Sequence, residues 1–162
     1  MLMLAKQPGC LFLGQGVACD GVATFNDFEG VPMSQRIECP VAEELQLGMG
    51  IGLAMQGFLP VLIYPRMDFL LRAMDQLVNH LDKIEAMSCG QWNPKVIIRT
   101  KVGSKTPLDA GPQHTQDHTD VLRRMLTSVC VMRVVDLRID HVLGVYKNAL
   151  SVPESALVVE SC

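Results

Sequence analysis

Glu38-Cys39-Pro40-Val41-Ala42-Glu43-Glu44, with Gly48-Met49-Gly50-Ile51-Gly52 close behind, decides how this chain is read. A short apolar approach reaches a proline. Two carboxylates then open an apolar segment, residues 42–57, whose pattern predicts a helix. Leu45, Leu47, Met49, Ile51, Leu53, Ala54 and Met55 make it apolar almost all round, so a buried helix is expected. Each interior glycine costs about 1 kcal/mol against alanine, and the usual return is close approach of another backbone. Gly48-x-Gly50-x-Gly52 has the wrong spacing and position for a dinucleotide-binding turn. Gly57 is placed to end the helix.

Outward from this helix, short apolar runs alternate with helical patterns. Strands are predicted over 10–14, 36–39, 60–64, 95–99, 129–135 and 156–160. Residues 68–87 predict one long amphipathic helix, with shorter helices over 117–126 and 140–150. Residues 15–35 and 102–115 read as long loops, the first with one short helical turn. The alternation implies an α/β fold: a three-layer, doubly wound, mostly parallel sheet of about six strands with helices on both faces. Ligands of such sheets bind beyond the carboxyl ends of the strands. That places the loop after Gly14, residues 40–44, 64–69 and 100–116 around any site.

Composition sets limits. A chain of 162 residues is one domain with room for a core. Hydrophobic residues make up 49% and charged residues 19%, and mean hydropathy is +0.24. A parallel sheet covered on both faces explains this, as does a partner chain over an apolar surface, and the two are compatible. Net charge is −3 and aromatics are 5%, which argues against nucleic acid. No apolar run reaches membrane-span length, and the first residues lack the form of a secretory signal, so a cytoplasmic protein is expected. The six cysteines form no C-x-x-C pair and read as reduced thiols.

Glu43 and Glu44 admit two readings. Carboxylates in a first turn complement the helix dipole. Alternatively, an apolar helix forces at least one of them against protein, where burial favours the protonated form of a carboxyl and suits it to proton exchange. His114 and His118 have a metal-like spacing, but no HExxH or cysteine pair supports a metal, and none is expected. His114 reads instead as a substrate contact in a loop at the ligand end of the sheet. His80 reads as a hydrogen-bonded structural or interface residue. Arg72, Asp75, Asp82 and Lys83 read as the solvated face of the 68–87 helix.

Pro40-Val41-Ala42-Glu43, Gly57-x-x-Pro60-Val61, Asp68-Phe69, Asp75-Gln76-Leu77-Val78-Asn79-His80, Ser88-Cys89-Gly90-Gln91, Ile98-Arg99-Thr100 and Gly111-Pro112-Gln113-His114 follow one another in fixed order. This series resembles the pyrimidine-binding domain of the thiamine-diphosphate-dependent transketolase superfamily. Within it, the resemblance is greatest to the beta subunit of the first component of 2-oxoacid dehydrogenases, over residues 10–160. It implies the thiamine-diphosphate-binding fold, with residues 1–162 a single pyrimidine-binding domain.

It also implies roles. A glutamate at the position of Glu43 hydrogen-bonds a ring nitrogen of the cofactor's aminopyrimidine and favours the imino form that deprotonates the thiazolium. The activated carbon then attacks the carbonyl of a 2-oxo acid or ketose. Val41, Tyr64 and Phe69 fall where relatives line the cofactor cleft, and His114 matches a histidine facing the substrate or the lipoyl acceptor. Gln15 and Arg66 occupy two further cofactor positions with altered chemistry. Gln15 replaces an acidic residue and Arg66 an aromatic, while Pro65 replaces a polar residue. An arginine there suits an anionic substrate group.

The family's Gly-Asp-Gly magnesium motif is not in the sequence. The resemblance therefore assigns the diphosphate and its magnesium to an alpha-type partner chain, in a homo- or hetero-oligomer, and leaves the beta subunit's C-terminal domain without a counterpart. The implied function is that of a subunit, inactive alone, of a thiamine-diphosphate enzyme of the oxidoreductase or transferase kind acting on a 2-oxo acid. The alternatives are half of a split transketolase-like enzyme acting on ketoses, or a non-catalytic assembly or regulatory relative.

Overall fold

Each of the six apolar runs forms a strand in the computed structural model, which describes residues 1–106 and 109–161. Pro107, Leu108 and Cys162 lie outside the described residues, and with them part of the loop predicted over 102–115 and one of the six cysteines. The strands are β1 (Cys10–Gly14), β2 (Arg36–Glu38), β3 (Leu59–Tyr64), β4 (Ile97–Val102), β5 (Val129–Val134) and β6 (Ser155–Ser161). They form one sheet in the order β2-β1-β3-β4-β6-β5, and every pair is parallel.

The register explains the two-sided core. Leu13, Leu62, Ile98 and Leu157 align across four strands, as do Phe12, Val61, Ile97 and Ala156 one step back. Because side chains alternate along a strand, the first row faces one layer and the second row the other. The first packs with α2 (Glu43–Met55), α3 (Met67–Leu70), α4 (Ile84–Met87) and α5 (Thr119–Met125). The second packs with α1 (Leu2–Ala5), α6 (Ile139–Ser151) and Phe28. The expected three-layer fold is therefore present, with a fully parallel sheet. No helix among the described residues is long and apolar enough to cross a membrane.

Three expectations need correction. The helix predicted over 68–87 is not continuous. It passes from α3 into a 3-10 turn at Leu71–Ala73, then a π-helical stretch at Gln76–Leu81, then α4. Leu70, Ala73, Leu77 and Leu81 still reach the sheet layer, so the apolar spacing survives while the winding changes. The wide turn, closed by the Asp82 amide on the Leu77 carbonyl at 3.0 Å, ends the π stretch.

Asp82 itself is not solvated. It is 1% exposed, and its carboxylate accepts the amides of Thr127, Ser128 and Val129 at 2.7–3.1 Å and the Lys83 ammonium. The sequence hides this because the amides lie more than forty residues downstream. Nor is α2 buried all round. Glu43, Gln46, Leu47, Gly50 and Ile51 face the protein, while Leu45, Met49 and Met55 are 52%, 38% and 40% exposed. Among the described residues no element covers that second face. Of the helix's glycines only Gly50 is closely packed, since a Cβ there would lie 2.8 Å from Leu62. Gly52 meets open space.

Asp82 gives a pH prediction. Burial pushes its carboxyl up, but Lys83 and the Ser128 and Thr127 amides outweigh burial and hold it below the ordinary carboxylate range. A depressed carboxyl contributes stability above its unfolded pKa of about 3.9, and that stability is lost as pH falls through the folded value. Asp82→Asn is expected to lower stability by about 2–3 kcal/mol at neutral pH. It should also flatten the loss of stability in acid, read by urea denaturation at stepped pH.

Candidate active site

The mouth of α2 lies beside the carboxyl ends of β1 and β3, where the strand order reverses. Gly14 ends β1 with no room for a side chain, because a Cβ would fall 2.5 Å from the Ile63 carbonyl oxygen. Two buried side chains then fix the first turn of the helix. Gln46, 1% exposed, donates from Nε2 to the carbonyls of Leu13 and Ile63, both at 3.1 Å. The hydroxyl of Tyr64, also 1% exposed, donates to the backbone carbonyl of Glu43 at 3.0 Å. Residues three apart share a helix face, so Gln46 fastens the face from which Glu43 projects. Burial, then the nearby Glu43 charge, push the Tyr64 phenol well above its ordinary value, so it stays a neutral donor.

The Glu43 side chain is 3% exposed. Its Oε1 accepts Gln15 Nε2 at 3.3 Å. Its Oε2 is buried and has no hydrogen bond; the Arg72 Nε lies 3.4 Å away, as an ion pair without hydrogen-bond geometry. A cleft of about 330 Å³ opens on this carboxylate, lined by Gln15, Val41, Glu43, Phe69 and Arg72. His114 adjoins it through Phe69, the two rings meeting edge to face with centroids 5.4 Å apart. The His114 Nδ1 is buried without a hydrogen bond. Gly103 lets the loop carrying His114 pass close by, since a Cβ there would lie 2.1 Å from the His114 carbonyl oxygen.

Thus Gln15, Val41, Glu43 and Phe69 share one cleft, and His114 stands next to it. Tyr64 lies beneath it and is engaged with the helix. Arg66 does not line that cleft, although its Nε lies beside Gly103 where the His114 loop passes. It lines a smaller cavity of about 60 Å³ with Asp27, Arg99 and Lys101, and its Nη1 donates to the Pro65 carbonyl. Glu44 is exposed. His80 is exposed, its Nδ1 3.3 Å from the Asp75 carbonyl oxygen. The described residues hold no group of three or more histidine, cysteine, aspartate or glutamate side chains placed for a metal.

Sequence reasoning missed Gln46 and missed the contact of the solvated Arg72 with Glu43. The i, i+3 spacing from Glu43 was a signal for the first. For Arg72 there was none, because the tight Leu71–Ala73 turn that carries it across to α2 interrupts the expected helix.

No family model matches the chain. Curated relatives do. The pyruvate dehydrogenase E1 component subunit beta of Cyanidium caldarium is 29% identical over 125 residues, 76% of this chain and 36% of that protein. That of Mycoplasma pneumoniae is 25% identical over 138 residues, 83% of this chain and 40% of that protein. A chloroplastic beta-3 subunit of Arabidopsis thaliana is 38% identical over 80 residues, 49% of this chain and 19% of that protein. A solved structure described as a split gene transketolase, inactive beta4 tetramer, matches 96% of this chain and 46% of its own with a TM-score of 0.72 at 18% identity. In sequence the chain is similar to part of the beta subunits of the pyruvate dehydrogenase E1 component. The chain spans less than half the length of the proteins it matches. The structural likeness carries the fold, and the sequence likeness carries the relation to the beta subunits.

Proposed function

We propose that this chain is the pyrimidine-binding part of a thiamine-diphosphate enzyme acting on a 2-oxo acid, completed by a partner chain that holds the diphosphate and magnesium. One observation carries the reading. Glu43 presents a buried carboxylate oxygen with no hydrogen bond to a cleft with a largely apolar wall. An unpaired buried acceptor is costly, and a ring nitrogen bearing a proton is the group that completes it. The site thus fits an aminopyrimidine.

When bound, thiamine diphosphate supplies the thiazolium carbon that adds to a substrate carbonyl. The residues of this chain do the rest. Glu43 holds a proton at the pyrimidine ring nitrogen and exchanges it. Gln15 fixes Oε1 so that Oε2 is left for the ring. Val41 and Phe69 offer apolar surface to the ring. Gln46 and Tyr64 keep the helix mouth from shifting. His114, held against Phe69 with a free Nδ1, supplies a donor or acceptor at the substrate. The exposed apolar side chains Val41, Leu45, Met49 and Met55 support a partner over α2.

The test is calorimetry of thiamine diphosphate and magnesium with this chain, with a candidate alpha-type chain, and with the mixture. Binding and activity confined to the mixture are expected. Failure of every mixture to bind overturns the reading in favour of a non-catalytic assembly role. The split transketolase likeness favours a second reading, a half-enzyme acting on ketoses, and product analysis with a ketose phosphate against a 2-oxo acid separates the two.

A further inference from the structure

Two depressions meet at Glu43. The cleft described above shares Val41, Glu43 and Arg72 with an outer groove of about 550 Å³ that runs along α2 past Leu45, Gly48, Met49 and Gln76. Arg72 therefore stands where the two join. Its backbone is fixed, because the Leu71–Ala73 turn carries it and Ala73 is fully buried. Its side chain is not: it is 77% exposed, and only the guanidinium end reaches the buried carboxylate.

The same fold shows what a permanent arginine–carboxylate pair looks like. Arg99 and Glu160 form two hydrogen bonds, at 2.9 and 2.8 Å, with side chains 7% and 9% exposed. The Arg72–Glu43 pair is single, 3.4 Å long, without hydrogen-bond geometry, and exposed on the arginine side. A pair of this kind is weak and open to salt, because water competes for the cation and a long side chain must be held in place. Yet it gives the buried Oε2 of Glu43 a positively charged neighbour, and a buried carboxylate needs a counter-charge.

We propose that Arg72 is a displaceable latch on Glu43: it occupies the carboxylate while the cleft is empty and must swing into the outer groove before a pyrimidine ring nitrogen can take its place. Arg72 is on this view a positioning residue for Glu43, and the proposal rests on the reading of Glu43 as the pyrimidine contact. The latch lowers the affinity of the empty site and keeps the carboxylate aimed into the cleft. It also makes entry of the ring depend on ionic strength.

The test titrates the isolated chain with a neutral 4-aminopyrimidine, followed by NMR, which detects weak binding without any partner or catalysis. Arg72→Gln is expected to bind the probe about two- to five-fold more tightly than the parent. Raising the salt concentration should bring the parent towards the variant and leave the variant unchanged. The Arg72 Nε–H resonance of the parent should shift as the probe binds. Equal or weaker binding by Arg72→Gln, including none at all, overturns the latch, as does a parent affinity insensitive to salt. Glu43→Gln separates the two levels. If it loses binding while Arg72→Gln matches the parent, the latch fails and the role of Glu43 stands. If it binds as the parent does, the role of Glu43 fails and the latch with it.

Discussion

Glu43→Gln is expected to lower the turnover of the reconstituted complex by about 10²–10⁴-fold, the span of a general acid–base contribution. The substitution keeps the shape of the side chain and an oxygen that can accept from Gln15. It removes the ability to exchange a proton with a ring nitrogen. The loss should fall on kcat more than on KM, because the contact with the proton in transit is strongest in the transition state. The fold should survive. Glu43 is 3% exposed, but its only ion pair is the loose contact with Arg72, and removing a poorly compensated buried charge costs little or even stabilises. A melting temperature within a few degrees of the parent, beside a collapsed rate, is the expected pair of results. An unchanged rate excludes Glu43 from proton exchange. A rate and melting temperature that fall together mark it as structural.

The arrangement around Glu43 was legible where sequence spacing carries it. The six strands were legible as short apolar runs, whereas the division of Leu13, Leu62, Ile98 and Leu157 from Phe12, Val61, Ile97 and Ala156 comes from the register across four strands. The helix mouth after Pro40 was legible because a proline, a first-turn carboxylate and an apolar run are local signals. What was not legible depended on contacts between distant residues. Asp82 looks like a surface charge until the amides of Thr127–Val129 arrive. Arg72 is the surface cation it looks like, but its contact with Glu43 depends on the turn that carries it. Arg66 was assigned a cofactor position by resemblance alone, and in the structure it lines a separate small cavity with Asp27 and Lys101. The helix α2 presents a different case. Its apolar residues predict burial correctly on one side, whereas Leu45, Met49 and Met55 on the other stay exposed among the described residues.

Arg99→Met is expected to destabilise the chain by about 3–5 kcal/mol, the cost of leaving a buried charge without its partner. Strand alternation puts Arg99 on the face of Ile97, away from α2 and Glu43. There its guanidinium ties three segments together. It grips Glu160 of β6 with two hydrogen bonds and Asp27 of the first loop with a third at 2.8 Å. Tyr146 of α6 donates to the same Glu160 at 2.7 Å. Burial pushes the Glu160 carboxyl up, but Arg99 outweighs it and holds the group low, so Glu160 is ionised at neutral pH. Without Arg99 that charge keeps a single neutral donor, Tyr146, among the hydrogen bonds seen here. The contribution of the pair is present above the unfolded glutamate value of about 4.3 and is lost as pH falls through the lower, folded value. The variant should therefore lose most stability at neutral pH and lose less than the parent on acidification, measured by urea denaturation. Arg99→Met combined with Glu160→Leu should recover much of the loss, because two apolar side chains replace a pair whose desolvation was itself expensive. Recovery in the double variant, with the Glu43 cleft unaltered in its binding of a pyrimidine probe, shows that the Arg99 network on the α6 face contributes to stability independently of the chemistry on the α2 face. If the single variant is as stable as the parent, the buried network is not what holds β4, β6 and the first loop together.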